Sequence, residues 1–229
     1  EAKARHLGQP LEQTALARWD VSFYTERLRK ERYSVDEESM RAYFPPQESL
    51  QFVMRIAEKM FGIRYTQVPA KLWHPDAQAY AVSDAATGKA LASLIVDLYP
   101  REGKFGHAAV WPYRSGSALT GRVPQAALVV NFNRKGLTMD ELNTLLHEFG
   151  HSLHSNLSTT RYTLNSGTST QHDFSEAPSQ MLEDWVFDRK VLKLFQEVCP
   201  ACKPVPDELV DKARAAHDFT KGSKTARQH

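Results

Sequence analysis

Residues 138–154 read TMDELNTLLHEFGHSLH, and this stretch decides the fold that we expect for the chain. Thr138 followed by Glu141 forms a capping-box pattern, which predicts that a helix begins here. Successive helical residues are turned by about 100°, so the apolar residues and the histidines fall on opposite faces. The apolar face consists of Leu142, Leu145, Leu146, Phe149 and Leu153, and the opposite face of His147, His151 and His154. We therefore predict an amphipathic helix that buries one face and presents imidazoles from the other.

Within this helix, residues 147–151 form the pattern HExxH. Histidines four residues apart lie one turn above the other, so His147 and His151 can both reach one metal ion about 2.0–2.1 Å away. Glu148 is turned aside and can hydrogen-bond a water instead of binding the ion, as a general base for hydrolysis requires. A single helical histidine is usually structural, and HExxH matches some sequences by chance. Its position on a capped helix, opposite the apolar face, favours a metal site.

The third ligand determines the class of metal site. In the extended pattern HExxHxxGxxH, a histidine would stand at position 157 and a glycine at position 154. Leu157 and His154 occupy those positions, so this class is excluded. A glutamate from a later helix is the alternative, and residues 173–185, DFSEAPSQMLEDW, contain two candidates. From the residues alone, Glu176 and its competitor Glu183 both remain open.

The remaining patterns predict an α+β fold that is mostly helical with a small sheet. Helices are expected at 11–33, 50–62 and 175–198, strands at 78–99 (with a turn at Asp84–Gly88) and 127–132, and loops at 101–125 and 158–172. We predict one catalytic-core region over 1–229. It is divided into a helical lead-in (1–66), a sheet with loops (67–135), metal-binding helices (136–200) and a helical tail that includes the C-terminus (201–229).

Composition excludes several kinds of partner. The net charge is only +2, and no basic block alternates with aromatic residues, so we expect no nucleic-acid partner. No apolar run approaches the roughly 20 residues that span a bilayer, so we expect no membrane partner. Two cysteines in 229 residues indicate a reducing compartment, and we predict a cytoplasmic protein. Cys199 and Cys202 have no second pair, which favours incidental cysteines, with an adventitious disulfide as the alternative.

HEFGHSLH followed by FSEAPSQMLEDW resembles the M3 family of zinc oligopeptidases, which includes thimet oligopeptidase, oligopeptidase A and dipeptidyl carboxypeptidase. The resemblance covers roughly residues 18–200. It also includes WDVSFYTERLRKERYSVDEESMRAYFP, LWHPDAQAYAV, DLYPREGKFGHAA and PQAALVVNF. It implies a zincin-like core with one Zn²⁺ bound by His147, His151 and Glu176, while Glu148 is the general base and His154 is not a ligand. The implied activity is that of a metalloendopeptidase that hydrolyses short peptides.

The resemblance also implies a substrate-binding strand. In such enzymes an edge strand beside the metal-binding helix pairs with the peptide backbone, and ALVVNF (127–132) is the matching segment. Val129 and Asn131 are therefore candidate substrate-binding residues. His172 is close enough in sequence to Glu176 to line the same cleft.

Two departures limit what the resemblance implies. Thermolysin-like enzymes carry an aspartate one turn after the ligand glutamate, where this chain has Gln180. Asp173 or Glu183 would then have to orient a zinc histidine. Full-length relatives are much longer and place the tyrosines and histidine that stabilise the oxyanion further along the chain. We therefore expect a middle portion of an oligopeptidase, whose catalysis could be impaired. The resemblance does not separate an endopeptidase from a dipeptidyl carboxypeptidase or predict the oligomeric state.

Overall fold

The described residues of a computed structural model of the protein, 1–33 and 37–219, contain helices and one small sheet. The helices are α1 (Ala2–Leu7), α2 (Asp20–Tyr33), α3 (Glu37–Met40), α4 (Pro46–Phe61), α5 (Met139–Asn156), α6 (His172–Ser175), α7 (Ala177–Glu183), α8 (Arg189–Val198) and α9 (Asp207–Asp218). The strands are β1 (Ile63–Val68), β2 (Gln78–Asp84), β3 (Ala90–Asp97), β4 (Ala109–Arg114) and β5 (Gln125–Val129). The predicted α+β class is confirmed. The prediction that the C-terminus continues a helix lies outside the described residues.

The five strands form one mixed sheet in the order β1-β2-β3-β5-β4. β3 and β5 run parallel, with Asp97 opposite Val129, and the other neighbours are antiparallel. β4 is at one end of the sheet and pairs with β5 through Val110 and Leu128. Helix α5 packs against β3, β4 and β5, so the predicted metal-binding helix lies across this end of the sheet.

The predicted hairpin is confirmed, because β2 and β3 pair on either side of the Asp84–Gly88 turn. Two strands were missed. β1 falls largely within the predicted helical lead-in, and β4 within the predicted loop 101–125. Sequence patterns do not reveal them because β1 buries only Ile63 and four of the six β4 residues are exposed, so neither alternates clearly between apolar and polar residues.

The position of ALVVNF in the sheet corrects the expectation of an edge strand. β5 covers residues 125–129 and has β3 on one side and β4 on the other. Val129 pairs with Asp97 and with Ala109, so its backbone lies inside the sheet. Asn131 donates from Nδ2 to the carbonyls of Phe105 and His107, at 2.8 and 3.1 Å, and so stabilises the loop before β4. Within the described residues, β4 is the edge strand beside α5.

Helix α4 ends and helix α5 begins where the sequence predicts, but α4 starts at Pro46, four residues before the predicted start at residue 50. Gly62 ends α4 in the left-handed conformation, with φ at 62°. Thr138 and Glu141 form the predicted capping box of α5. Arg41 adds a hydrogen bond from Nη1 to Glu141 Oε2 at 2.5 Å and thereby joins the start of α5 to the end of α3. The whole predicted apolar face of α5 is buried, and each such side chain contributes about 1.5–3 kcal/mol to stability.

Two other predicted helices were wrong in extent. The segment 11–33 is helical as α2 only from Asp20, after a short 3-10 turn at Leu11–Gln13. The segment 175–198 is divided into α7, a 3-10 turn at Asp184–Phe187, and α8. Asp188 explains the break between the 3-10 turn and α8. Its carboxylate accepts hydrogen bonds from the amides of Lys190 and Val191 and so starts a new helix.

Cys199 and Cys202 form a disulfide at the end of α8, so the prediction of incidental cysteines was wrong. This bond also weakens the inference of a reducing compartment. As for membranes, none of the described helices combines the length and the apolar character that a bilayer crossing demands.

The described chain forms two compact units. One contains residues 38–204, with the sheet and helices α4–α8. The other contains residues 1–37 and 205–229, in which α1, α2 and α9 are the described helices. In that second unit, Lys3 and Asp20 form an ion pair at 2.5 Å, and Tyr33 packs edge-on against Phe219. A single catalytic-core region over 1–229 stays a prediction.

A buried ion-pair cluster stabilises the end of β3. Asp97 is 1% exposed and accepts two hydrogen bonds from Arg101, both at 2.8 Å. Lys104 donates to the same carboxylate at 2.9 Å and to the carbonyl of Val130 at 2.6 Å. Burial opposes the ionisation of Asp97, but hydrogen bonds from Arg101, Trp73 and Lys104 outweigh burial and lower its pKa well below the usual value.

Replacing this carboxylate should destabilise the unit strongly. Asp97→Asn leaves Lys104, whose side chain is only 3% exposed, without its counter-ion, and we expect a loss of about 3–5 kcal/mol in unfolding free energy at neutral pH. The folded pKa of Asp97 is lowered, so its contribution is present above about pH 4 and is lost as pH falls towards the folded pKa. Urea unfolding from pH 7 to pH 3 measures both effects. If Asp97→Asn and the unmutated chain had the same unfolding free energy at pH 7, the proposed role of this cluster would be contradicted.

Candidate metal centre

Helices α5 and α7 bring three side chains of the predicted site together. Glu176, the N-cap residue of α7, lies with Oε2 3.4 Å from His147 Nε2 and 3.2 Å from His151 Nε2. One ligand atom from each of these three residues lies within 4.8 Å of the others. The two imidazole rings are 4.9 Å apart between centroids and nearly perpendicular. Two nitrogens and one carboxylate oxygen therefore converge on one point beside α5.

The donor set fits a zinc ion. Two histidines and a glutamate form a common catalytic zinc set, in which the fourth position is left for water or substrate. Tetrahedral ligands about 2.0–2.1 Å from zinc lie roughly 3.3 Å from one another. The two distances from Glu176 Oε2 to the imidazole nitrogens are close to that separation.

Glu183 contacts the cluster from the far end of α7. Its Oε1 lies 2.5 Å from His147 Nδ1, which assigns the proton to Nδ1 and leaves the Nε2 lone pair for a metal. This hydrogen bond raises the pKa of His147 against the opposing effect of burial. Of the two carboxylates left open by the sequence, Glu176 faces both Nε2 atoms, whereas Glu183 is positioned to orient one ligand.

Loss of this orienting carboxylate should weaken metal binding. We expect Glu183→Ala to reduce zinc affinity about 10- to 100-fold, because His147 would lose the acceptor that fixes its ring and tautomer. Competition with a chromogenic chelator measures the affinity. Gln180→Ala is the matched control, because Gln180 is on the same helix but exposed. Equal losses in the two variants would contradict a specific role for Glu183.

Glu148 is 8% exposed and lies beside the cluster without being part of it. Burial raises the pKa of its carboxyl, while the nearby His147 and a hydrogen bond from the backbone amide of Val110 lower it in part. A raised pKa brings a carboxylate closer to the range in which a general base works at neutral pH. The contact with Val110 also places edge strand β4 next to Glu148.

The other predicted site residues lie outside the cluster. His154 packs edge-on against Phe174, with ring centroids 6.0 Å apart, and burial lowers its pKa. His172, Asp173 and Gln180 are exposed.

Two residues beside the site were missed by the sequence analysis. Ser179 hydrogen-bonds the carboxylate of Glu176, and Gly150 lies against the backbone of Pro178 and Ser179 in α7. The sequence could have indicated both residues. Ser179 is one helical turn after the candidate ligand Glu176, and Gly150 is one of the two unspecified positions in HExxH.

Comparison with known proteins identifies the family. A match to peptidase family M3 extends over residues 1–229. The chain belongs to peptidase family M3. Similar proteins include a thimet-like oligopeptidase of Dictyostelium discoideum, 35% identical over 88% of this chain and 32% of the relative. The dipeptidyl carboxypeptidase of Escherichia coli K12 is 33% identical over 89% of this chain and 31% of the relative.

Oligopeptidase A of Escherichia coli K12 is a third similar protein, 32% identical over 88% of this chain and 31% of the relative. The predicted family resemblance is thus confirmed. The chain spans about a third of the length of the curated relatives that it matches.

Proposed function

We propose that this chain is the zinc-binding part of a zincin-like metallopeptidase that hydrolyses short oligopeptides. The proposal is supported chiefly by the convergence of His147, His151 and Glu176, with Glu148 beside them on the same helix. Membership of peptidase family M3 supports the same reaction class. One Zn²⁺ per chain would be bound by the two Nε2 atoms and the carboxylate of Glu176.

In this mechanism, bound zinc supplies a Lewis acid that lowers the pKa of a water molecule and polarises the peptide carbonyl. Glu148 would accept a proton from the water whose oxygen adds to the peptide carbonyl carbon, and would return that proton to the amide nitrogen as the C–N bond breaks. Its burial supports this use, because it raises the pKa of the carboxyl and keeps the side chain close to the reaction site. Glu183 keeps His147 in the tautomer that a metal requires.

The peptide backbone would add to the outer edge of β4, which is the edge strand beside α5 among the described residues. Substrates that extend a sheet gain main-chain hydrogen bonds, and β4 replaces β5 as the candidate because β5 is paired on both sides. Val110 on β4 is next to Glu148, so a peptide along this edge would pass the proposed base.

The direct test is hydrolysis of a quenched fluorescent peptide by the zinc-loaded chain. We expect cleavage that stops when a chelator removes the metal and returns when zinc is added. The rival function is zinc or peptide binding without turnover. We consider it because the chain spans only about a third of the length of the relatives that it matches. Zinc binding with no cleavage of any peptide in a mixed-sequence pool would support the rival.

The position of cleavage separates two kinds of peptidase. We propose internal cleavage, as in an oligopeptidase. The alternative is release of C-terminal dipeptides, because a dipeptidyl carboxypeptidase and an oligopeptidase A both match the chain. Mass spectrometry of the products from peptides with a free or an amidated C-terminus distinguishes them. Cytoplasmic location stays a prediction.

A further inference from the structure

Helices α5 and α7 approach so closely that no side chain fits at Gly150. A Cβ atom there would lie 2.5 Å from the Cα of Ser179 and 2.6 Å from the carbonyl oxygen of Pro178. Both contacts are to the backbone of α7, so they could be relieved only by a shift of α7 relative to α5. Glu176 is the N-cap residue of α7, and moving α7 would therefore move the candidate third ligand.

Ser179 acts on the same ligand from within α7. It is fully buried, and its hydroxyl lies 2.9 Å from Glu176 Oε2 and 2.8 Å from the Glu176 carbonyl oxygen. Oε2 is also the atom nearest to the imidazole nitrogens of His147 and His151. The hydroxyl therefore restricts the rotamer of Glu176 that directs this oxygen towards the histidines.

We propose that Gly150 and Ser179 are positioning residues of the metal centre, Gly150 by setting the distance between α5 and α7 and Ser179 by orienting the carboxylate of Glu176. The proposal rests on the proposed zinc site. Neither residue provides a ligand; each acts through Glu176. Without them, the two histidines would remain on α5, but the third ligand would be misplaced or mobile.

The size of the effect follows from what each substitution removes. Residues that orient metal ligands typically contribute 10- to 100-fold in metal affinity, and we expect Ser179→Ala to weaken zinc binding within that range. Gly150→Ala should have a larger effect, because it displaces the whole start of α7. A cavity of about 710 Å³ lies beside this crossing and is lined in part by Gly150, Pro178 and Met181.

Zinc competition with a chromogenic chelator tests the role of Ser179. Ser155→Ala is the matched control, because Ser155 is 3% exposed on α5 and its hydroxyl has no hydrogen-bond partner among the described residues. We expect a 10- to 100-fold loss for Ser179→Ala and little change for Ser155→Ala. Equal affinities in these two variants would overturn the role of Ser179.

A double-mutant cycle with Glu176→Ala separates positioning from general damage to the fold. If Gly150 and Ser179 act only through Glu176, then neither substitution should weaken zinc binding further once Glu176 is alanine. An additional loss in the Glu176→Ala background would overturn the proposal. Gly106→Ala is the control for glycine replacement, since a Cβ there meets no atom within 4 Å.

The visible spectrum of the Co²⁺-substituted chain gives a readout other than affinity. We expect the spectra of Gly150→Ala and Ser179→Ala to shift towards that of Glu176→Ala, while Gly106→Ala and Ser155→Ala keep the unmutated spectrum. Zinc binding by the unmutated chain together with unchanged spectra in Gly150→Ala and Ser179→Ala would overturn this inference alone. Absence of zinc binding by the unmutated chain would overturn the proposed function and this inference together.

Discussion

Glu176→Ala should weaken zinc binding roughly 100- to 1,000-fold. Structural zinc sites with four ligands have binding free energies of about 10–16 kcal/mol, so one ligand corresponds to about 2.5–4 kcal/mol. Glu176 contributes the oxygen that lies 3.2–3.4 Å from both imidazole nitrogens, and no second carboxylate of the described cluster faces both of them. Dialysis followed by metal analysis gives the stoichiometry, and chelator competition gives the affinity.

His154→Ala is the matched control for this experiment. His154 is on the same helix as the two candidate ligands, but it contacts Phe174 rather than Glu176. Its removal should leave both stoichiometry and affinity close to those of the unmutated chain. Comparable losses in Glu176→Ala and His154→Ala would contradict the assignment of the third ligand.

Glu148→Gln should lower the rate of peptide hydrolysis by at least 100-fold while leaving zinc bound. General bases typically contribute 10²- to 10⁴-fold to the rate, and an amide of the same shape cannot accept the proton. Zinc should remain because Glu148 is not one of the three residues whose ligand atoms converge. The fluorescent peptide assay and metal analysis of the same preparation measure the two effects.

Glu141→Gln provides a matched control on the same helix. Glu141 forms the capping box at the start of α5 and pairs with Arg41; it lies six residues before His147 and is not part of the cluster. Glu141→Gln should lower the unfolding free energy of the chain, but it should change the rate of peptide hydrolysis per folded molecule only slightly. Equal hydrolysis by the unmutated chain and Glu148→Gln would contradict the role of Glu148 as base.

Local sequence patterns were sufficient for α5. The capping box, the apolar face and the i,i+4 spacing of His147 and His151 all involve residues within one or two turns of each other. The hairpin of β2 and β3 was also predictable, because its turn and both strands are continuous in sequence. The resemblance to family M3 rested on the same kind of contiguous motifs.

Edge strands were harder to predict. β1 and β4 expose most of their side chains, so they lack the alternating apolar pattern that marks a half-buried strand. This affected the prediction of the substrate-binding strand, because residues 127–132 were expected at the edge of the sheet, whereas β5 lies inside it. Only the pairing of β5 with both β3 and β4 revealed the difference.

By itself, the sequence determined the helix, two candidate metal-binding histidines and the adjacent base, since helical periodicity places those residues relative to one another. It narrowed the third ligand to Glu176 or Glu183 but could not choose between them from spacing. That choice depends on how α7 crosses α5, and the crossing depends on Gly150 having no side chain and on Ser179 facing it. Contacts between distant segments are set by packing, and local periodicity contains no information about them.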